Sequence, residues 1–127
     1  MKIYFIGIGG IGVSALARYY LEKGHKVSGS DLASSEITDA LIKSGTKIRI
    51  GEHKAGNISK DTDLVIYSPA VNPQNHEYKE ARKRKIKLQS LKKILSVSSF
   101  SIFSSLFGIG ELIIDCYLRI GNKYCLF

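Results

Sequence analysis

The chain has 127 residues, a formal net charge of +8 and two cysteines. This length gives room for one domain with its own core, which excludes a multidomain enzyme within these residues. The excess of positive charge is concentrated in residues 79–93, where no aromatic side chains alternate with the basic ones, so a nucleic-acid partner is not expected.

The first predicted elements form one continuous unit in residues 2–14, KIYFIGIGGIGVS. Residues 3–6 are a short apolar run typical of a strand buried on both faces of a parallel sheet. Residues 7–12 fit the pattern G-x-G-x-x-G, and an amphipathic helix is predicted over residues 12–23, ending at Gly24. Strand, glycine-rich turn and helix in this order are typical of a phosphate-binding β-α unit.

The glycine pattern predicts an anion site that needs no basic side chain. Gly7 allows a tight turn, Gly9 lets the backbone approach a phosphate, and Gly12 allows the helix to pack on the strand. The first-turn N–H groups of the helix have no intrahelical partners and lie at the positive end of its dipole. A diphosphate is stabilised at such a position. The alternative is a glycine-rich turn that binds nothing.

Strands and helices are predicted to alternate along the next 75 residues or so. Further strands are expected at residues 26–30, 47–50, 63–67 and 86–88. Ser34 or Ser35 caps the second helix, which buries Ile37, Ala40 and Leu41 and ends at Gly45. Asn72 or Asn75 caps a third helix that includes Pro73 in its first turn and runs to residue 84. This alternation predicts a Rossmann-like α/β fold, a doubly wound parallel sheet of about five strands.

Ligands of doubly wound sheets bind beyond the C-terminal ends of the strands, so residues at those ends are the candidate site. Asp31 lies where such folds place a carboxylate that binds ribose, and Ser14 could add a hydroxyl beside the phosphate. His53 could contact a base or sugar. Each has a structural alternative: a turn or capping aspartate, an ordinary helix residue and a solvated loop histidine. The turn at Ser68, Pro69 and Ala70 would lie beside a ligand or simply end a strand.

No catalytic residue and no metal site are expected, because no nucleophile lies with a base and no cluster has metal-ligand spacing. Cys116 and Cys125 are predicted to be free thiols in a reducing compartment. The N-terminus leads almost directly into a strand, without the pattern of a signal peptide. These observations predict a cytoplasmic protein.

A family resemblance rests on three stretches: GIGGIGVSALARYYLEKGHKVSGSDL, IGEH and DLVIYSPAV. Together they resemble the N-terminal domain of the Mur ligase family, over residues 1 to about 90. The resemblance implies that the domain holds a UDP-sugar, UDP-N-acetylmuramate, rather than NAD. It also implies the ligand contacts. Gly9, Gly10, Ile11 and Gly12 would cradle the diphosphate, and Asp31, His53, Ser68, Pro69 and Ala70 would line the uridine side.

The resemblance further implies an ATP-dependent reaction with magnesium. In the family, ATP phosphorylates the lactyl carboxylate of UDP-N-acetylmuramate, and the amine of L-alanine attacks the acyl phosphate to form an amide. The phosphate-binding pattern G-x-x-x-x-G-K-[ST] of the central ATP domain does not occur in these 127 residues. The chain is therefore not expected to form the amide alone, and its partner would be the missing ligase domains on another chain. The rival functions are an NAD(P)-binding oxidoreductase domain and a non-catalytic nucleotide-binding regulatory domain.

Residues 91–127 do not match the family and leave three interpretations open. In the first, they form helices packed on the sheet. In the second, they are encoded by the end of a truncated or frame-shifted gene, and in the third they are a membrane-associated segment. Residues 94–110 are uncharged over 17 residues, but six serines make a membrane segment the least favoured of the three.

Overall fold

The structure is a computed structural model, and it describes residues 1–94. Strands and helices alternate along this part of the chain, as the periodicity predicts. The strands are β1 (Lys2–Ile6), β2 (Lys26–Asp31), β3 (Lys47–Ile50), β4 (Leu64–Tyr67) and β5 (Lys87–Ser90). The helices are α1 (Ile11–Glu22), α2 (Glu36–Lys43), α3 (His76–Lys83) and α4 (Leu91–Ile94), with a 3-10 helix at Ala55–Asn57.

The five strands form one parallel sheet in the order β3-β2-β1-β4-β5. The chain moves outward from β1 to β3, then crosses to the other side of β1 and continues through β4 to β5. The order of the strands therefore reverses at β1 and β4, and the carboxyl ends of these strands open a crevice at this switch point. This topology confirms the predicted doubly wound α/β fold.

The central strand β1 is covered on both faces, which explains its uninterrupted apolar sequence. Ile3 and Phe5 belong to the core cluster on the face of α1 and α2, whereas Tyr4 and Ile6 pack on the opposite face with Ile58 of the chain before β4. All four of these β1 side chains are at most 1% exposed. The sheet thus carries a core on each side, and β1 holds the two cores together.

Helix α2 differs from the prediction in what it buries. Thr38 and Leu41 are buried, whereas Ala40 is exposed and Ile37 is half-buried. Ser35, rather than Ser34, is the N-cap: its side chain accepts from the Thr38 N–H, and the Thr38 hydroxyl accepts from the Ser35 N–H. Thr38 satisfies its polar atom within this capping box, which explains how it is buried at low cost.

The start of α3 also differs from the prediction. Asn75 is the N-cap, and its side-chain oxygen accepts from the N–H groups of Glu77 and Tyr78 at 2.8 and 3.2 Å. Pro73 therefore precedes the helix instead of lying in its first turn. Asn72 accepts from the Gln74 N–H in the preceding turn. Two asparagines with capping chemistry thus share the segment, and only the second begins a helix.

The described part of the chain ends in α4, where Leu91 and Ile94 join the core on the α1 face. Within residues 1–94, no helix is long and apolar enough to cross a membrane. The expectations for the tail beyond residue 94, including the uncharged segment and the thiols of Cys116 and Cys125, lie outside the described residues.

Candidate functional site

The glycine-rich loop after β1 is fastened to the end of β2. Gly7 turns the chain with a φ of +79°, and the N–H groups of Gly7 and Ile8 both donate to the carbonyl of Ser30, at 2.9 and 3.0 Å. The N–H of Gly9 donates to Oδ2 of Asp31 at 2.7 Å. Three backbone donors are thus used to hold the loop in place, so its shape is fixed before any ligand arrives.

The amino end of α1 presents backbone N–H groups that the helix itself does not use. The first helical bond runs from the Ser14 N–H to the Gly10 carbonyl at 2.8 Å, so the N–H groups of Ile11, Gly12 and Val13 have no acceptor within the helix. Among the described residues no side chain caps α1, and its first turn contains no acidic residue. Uncapped donors at the positive end of a helix dipole form an anion-binding position.

Asp31 holds the loop and keeps one oxygen for another partner. Its Oδ2 accepts from Gly9, and within residues 1–94 its Oδ1 makes no hydrogen bond. A Cβ added to Gly9 would lie 2.7 Å from Asp31 Oδ2 and 3.3 Å from Thr38 Cγ2, so only glycine fits there without displacing its neighbours. The structure therefore places Asp31 beside the amino end of α1, as a loop anchor with an acceptor still available.

The turn after β4 contacts the glycine loop, as the shared strand edge predicts. A Cβ on Gly7 would lie 3.1 Å from Ser68 Cβ, which shows how closely the two segments approach. The Ser68 hydroxyl accepts from the Ala70 N–H at 3.2 Å, and Pro69 and Ala70 are exposed. Ser14 is buried in the first turn of α1, and its hydroxyl donates to the Ile11 carbonyl at 2.9 Å.

His53 lies on the other face of the sheet from Asp31, in a buried polar cluster. Its Nδ1 is 2.9 Å from the Ser30 hydroxyl and 2.5 Å from Oε1 of Glu77. Ser30 precedes Asp31 in β2, and successive side chains of a strand point to opposite faces, which explains the separation. Glu77, in the first turn of α3, is fully buried and also accepts from the hydroxyls of Ser30 and Tyr4.

Glu77 and Tyr4 are the residues of this cluster that the sequence did not indicate. An acidic residue in the first turn of a helix is expected on dipole grounds alone, and nothing local shows that Glu77 is buried. Burial, together with the hydrogen bond to Glu77, raises the pKa of Tyr4 well above its ordinary value. Tyr4 therefore remains a neutral donor to the carboxylate.

A pocket of about 610 Å³ opens beside this cluster at the carboxyl edge of the sheet. It is lined by Leu32, Glu52, His53, Lys54, Ala55, Asn75 and His76. Leu32 follows Asp31 directly in the chain, so the lining of the pocket begins at the residue after the end of β2.

The fold and these groups define a class: a doubly wound α/β domain with a candidate anion site at its topological switch point. A sequence profile of the Mur ligase family, catalytic domain, matches residues 2–99 of this chain. The chain belongs to the Mur ligase family, which confirms the resemblance seen in the glycine-rich stretch.

Relatives within the family show the likeness more closely. The UDP-N-acetylmuramate–L-alanine ligase of Campylobacter jejuni is 54% identical over 94 residues, which are 74% of this chain and 21% of that enzyme. The enzyme of the same name from Clostridium kluyveri is 51% identical over 87 residues, 68% of this chain and 19% of the relative. The chain spans about one fifth of the length of these relatives.

Solved structures give the same picture. The UDP-N-acetylmuramate–alanine ligase of Thermotoga maritima matches with a TM-score of 0.68 and 41% identity, over 72% of this chain and 21% of that one. A murein peptide ligase from Psychrobacter arcticus matches with a TM-score of 0.68 and 25% identity, over 76% and 20% of the two chains. A yeast methylglyoxal/isovaleraldehyde reductase solved with NADPH shares the fold alone. It matches with a TM-score of 0.51 and 18% identity, over 66% of this chain and 34% of the reductase.

Proposed function

We propose that this domain binds UDP-N-acetylmuramate as the substrate-binding part of an ATP-dependent UDP-N-acetylmuramate–L-alanine ligase. The observation that carries the proposal is the uncapped amino end of α1, where a loop fixed by Ser30 and Asp31 leaves three backbone N–H groups without an acceptor in the helix. The names of the relatives at 51–54% identity supply the particular substrate.

The diphosphate would bind at the glycine loop. The N–H groups of Ile11, Gly12 and Val13 donate to its oxygens, and Gly9 and Gly10 let the backbone approach without an intervening side chain. Such hydrogen bonds to a charged group contribute about 1.5–3 kcal/mol each. Binding therefore depends on the shape of the loop more than on the basic side chains of the surface.

The nucleoside would extend from the loop toward β2. Oδ1 of Asp31 accepts from a ribose hydroxyl, and the pocket beside His53 holds the base. The turn of Ser68, Pro69 and Ala70, which lies close to the glycine loop at Gly7, would also line the uridine side. Ser14 supports the helix through its bond to the Ile11 carbonyl instead of contacting phosphate.

ATP and magnesium belong, in this proposal, to other parts of the ligase. The 127 residues lack G-x-x-x-x-G-K-[ST], and within residues 1–94 no group of three or more His, Cys, Asp or Glu side chains is placed to hold a metal ion. Phosphoryl transfer needs such groups to stabilise the charge on the moving phosphoryl. Amide formation therefore requires the groups of further ligase domains, and the cytoplasm is the compartment in which they would meet ATP.

A parallel thermal-shift measurement with UDP-N-acetylmuramate, UDP and NAD tests the proposal. A ligand stabilises only the state that binds it, by about 2.7 kcal/mol at 100 times its Kd. We expect both uridine compounds to raise the Tm and NAD to leave it unchanged. Stabilisation by NAD alone would favour the oxidoreductase interpretation instead.

The Gly10→Val variant tests whether the loop carries the binding. Gly10 has a φ of −65° and a ψ of 148°, which valine adopts readily, so the fold should persist while the side chain enters the phosphate space. We expect the shift with UDP-N-acetylmuramate to be lost. Ala40→Val, on the exposed side of α2, places a valine away from the loop and should keep the shift. Equal binding by the two variants would show that the loop is structural only.

A further inference from the structure

The cluster around Glu77 determines which nitrogen of His53 carries a proton. Nδ1 of His53 lies 2.5 Å from Oε1 of Glu77, and a carboxylate can only accept. Oε1 also accepts from the Ser30 hydroxyl, and Oε2 accepts from the Tyr4 hydroxyl. The carboxylate is thus surrounded by donors from β1, β2 and the loop after β3. In neutral His53 the proton must then be on Nδ1, because the bond made by one ring nitrogen fixes the state of the other.

The other nitrogen of His53 remains for a ligand. The imidazole lines the pocket and its side chain is 14% exposed. Within residues 1–94, Nε2 has no hydrogen-bond partner. With Nδ1 protonated, Nε2 carries a lone pair and acts as an acceptor in the pocket.

We propose that Glu77 is a positioning residue, which holds the proton of His53 on Nδ1 so that Nε2 accepts from the imide N–H of a uracil ring. The inference rests on the proposed function for the identity of the ligand, and it adds the reason for base selection. Cytosine has a lone pair at the ring position where uracil has its imide N–H. The lone pair of His53 Nε2 would then face the lone pair of the cytosine ring nitrogen, and Nε2 would be left without a hydrogen-bond donor.

The first test reads the proton directly. Long-range 1H–15N spectra of the ligand-free 127-residue chain, recorded over a series of pH values, should show a neutral form of His53 with a pyrrole-type Nδ1 and a pyridine-type Nε2. In Glu77→Gln, whose amide can donate as well as accept, the neutral form should become a mixture of tautomers. A neutral wild-type His53 protonated on Nε2 would overturn the inference whatever the ligand.

Tyr4→Phe is the matched control. It removes one buried donor to the same carboxylate but leaves the contact of Glu77 with His53 in place. The tautomer should be unchanged, so a mixed tautomer in Tyr4→Phe would show that any disturbance of the cluster has the effect, and that Glu77 has no specific role.

The second test compares the affinities for UDP and CDP, which share the diphosphate and ribose. We expect the wild type to prefer UDP about tenfold, the value of one hydrogen bond that the wrong base leaves unmade. His53→Ala should bring this ratio close to one, and Tyr4→Phe should keep it. If UDP binds and His53→Ala still prefers UDP to CDP, the inference about His53 and Glu77 fails while the proposed function stands. If the wild type does not bind UDP, the proposed function fails as well, while the tautomer of the free protein still reports on Glu77.

Discussion

Gly7 turns the chain from the central strand into the phosphate loop, and two independent features require glycine there. Its φ of +79° is in the left-handed region, and a Cβ would lie 3.1 Å from Ser68 Cβ. Gly56, in the 3-10 helix, has neither feature: its φ is not positive and a Cβ would meet nothing within 4 Å. The two glycines form a natural pair for comparison.

Gly7→Ala should lower the free energy of unfolding by about 1–2 kcal/mol, because alanine is strained in the left-handed region. Gly56→Ala should leave it unchanged or raise it slightly, since it removes freedom from the unfolded chain without strain. Urea unfolding of both variants measures the difference. Equal stabilities would show that the loop relaxes at no cost and is not held in the conformation described.

Asp31→Ala should lower the free energy of unfolding by about 1.5 kcal/mol, because the Gly9 N–H loses a charged acceptor. Asp31→Asn keeps a neutral oxygen acceptor and should lose about half as much. The same urea series checks this order, and the affinity for UDP should fall in both variants. An alanine variant as stable as the wild type would mean that Asp31 does not anchor the loop.

The residues of the site differ in how far the sequence could predict them. Gly9, Asp31 and Ser68 lie at or just after the ends of strands that meet at one edge, so their proximity follows from topology alone. The burial of Glu77 does not, because its donors come from Tyr4 and Ser30, far from it in the chain. A side chain satisfied by distant residues leaves no local pattern.

Among the elements, α2 shows best how a cap decides where a helix begins. Ser34 and Ser35 are adjacent and chemically identical, so capping preference could not choose between them. The structure selects Ser35, which exchanges hydrogen bonds with Thr38 in a capping box. This choice brings Thr38 toward Gly9 and buries it, whereas apolar periodicity had favoured Ala40.

Ser35→Ala should therefore lower the free energy of unfolding by about 1 kcal/mol, the usual contribution of an N-cap. Ser34→Ala is the matched control, since Ser34 is exposed and its side chain makes no hydrogen bond within residues 1–94. Thermal unfolding of both variants separates them. A larger loss in Ser34→Ala would place the cap one residue earlier.

At the scale of the whole fold, buried and half-buried tyrosines of residues 1–94 link stability to alkaline pH. Burial raises the pKa of Tyr4, Tyr19, Tyr20 and Tyr67 in the folded protein. A raised pKa favours the protonated folded form, so its contribution is complete below the ordinary tyrosine pKa of about 10 and is lost as the pH rises above it. The free energy of unfolding should accordingly fall above about pH 10.

Tyr4→Phe should make this fall less steep, by up to about 1.4 kcal/mol per pH unit, because one titrating group is removed. Urea unfolding of wild type and variant between pH 9 and 11 measures both slopes. Identical slopes would show that Tyr4 ionises as easily in the folded chain as in the unfolded one.

The doubly wound sheet brings a fixed loop and the uncapped amino end of α1 to one edge. An NMR titration of the 15N-labelled chain with UDP-N-acetylmuramate observes those donors themselves. We expect the amide signals of Ile11, Gly12 and Val13 to shift most and to saturate together, and the Gly10→Val variant to show no such change. Saturating shifts elsewhere with these three amides unmoved, or a response to NAD but not to the UDP-sugar, would contradict phosphate binding at the amino end of α1.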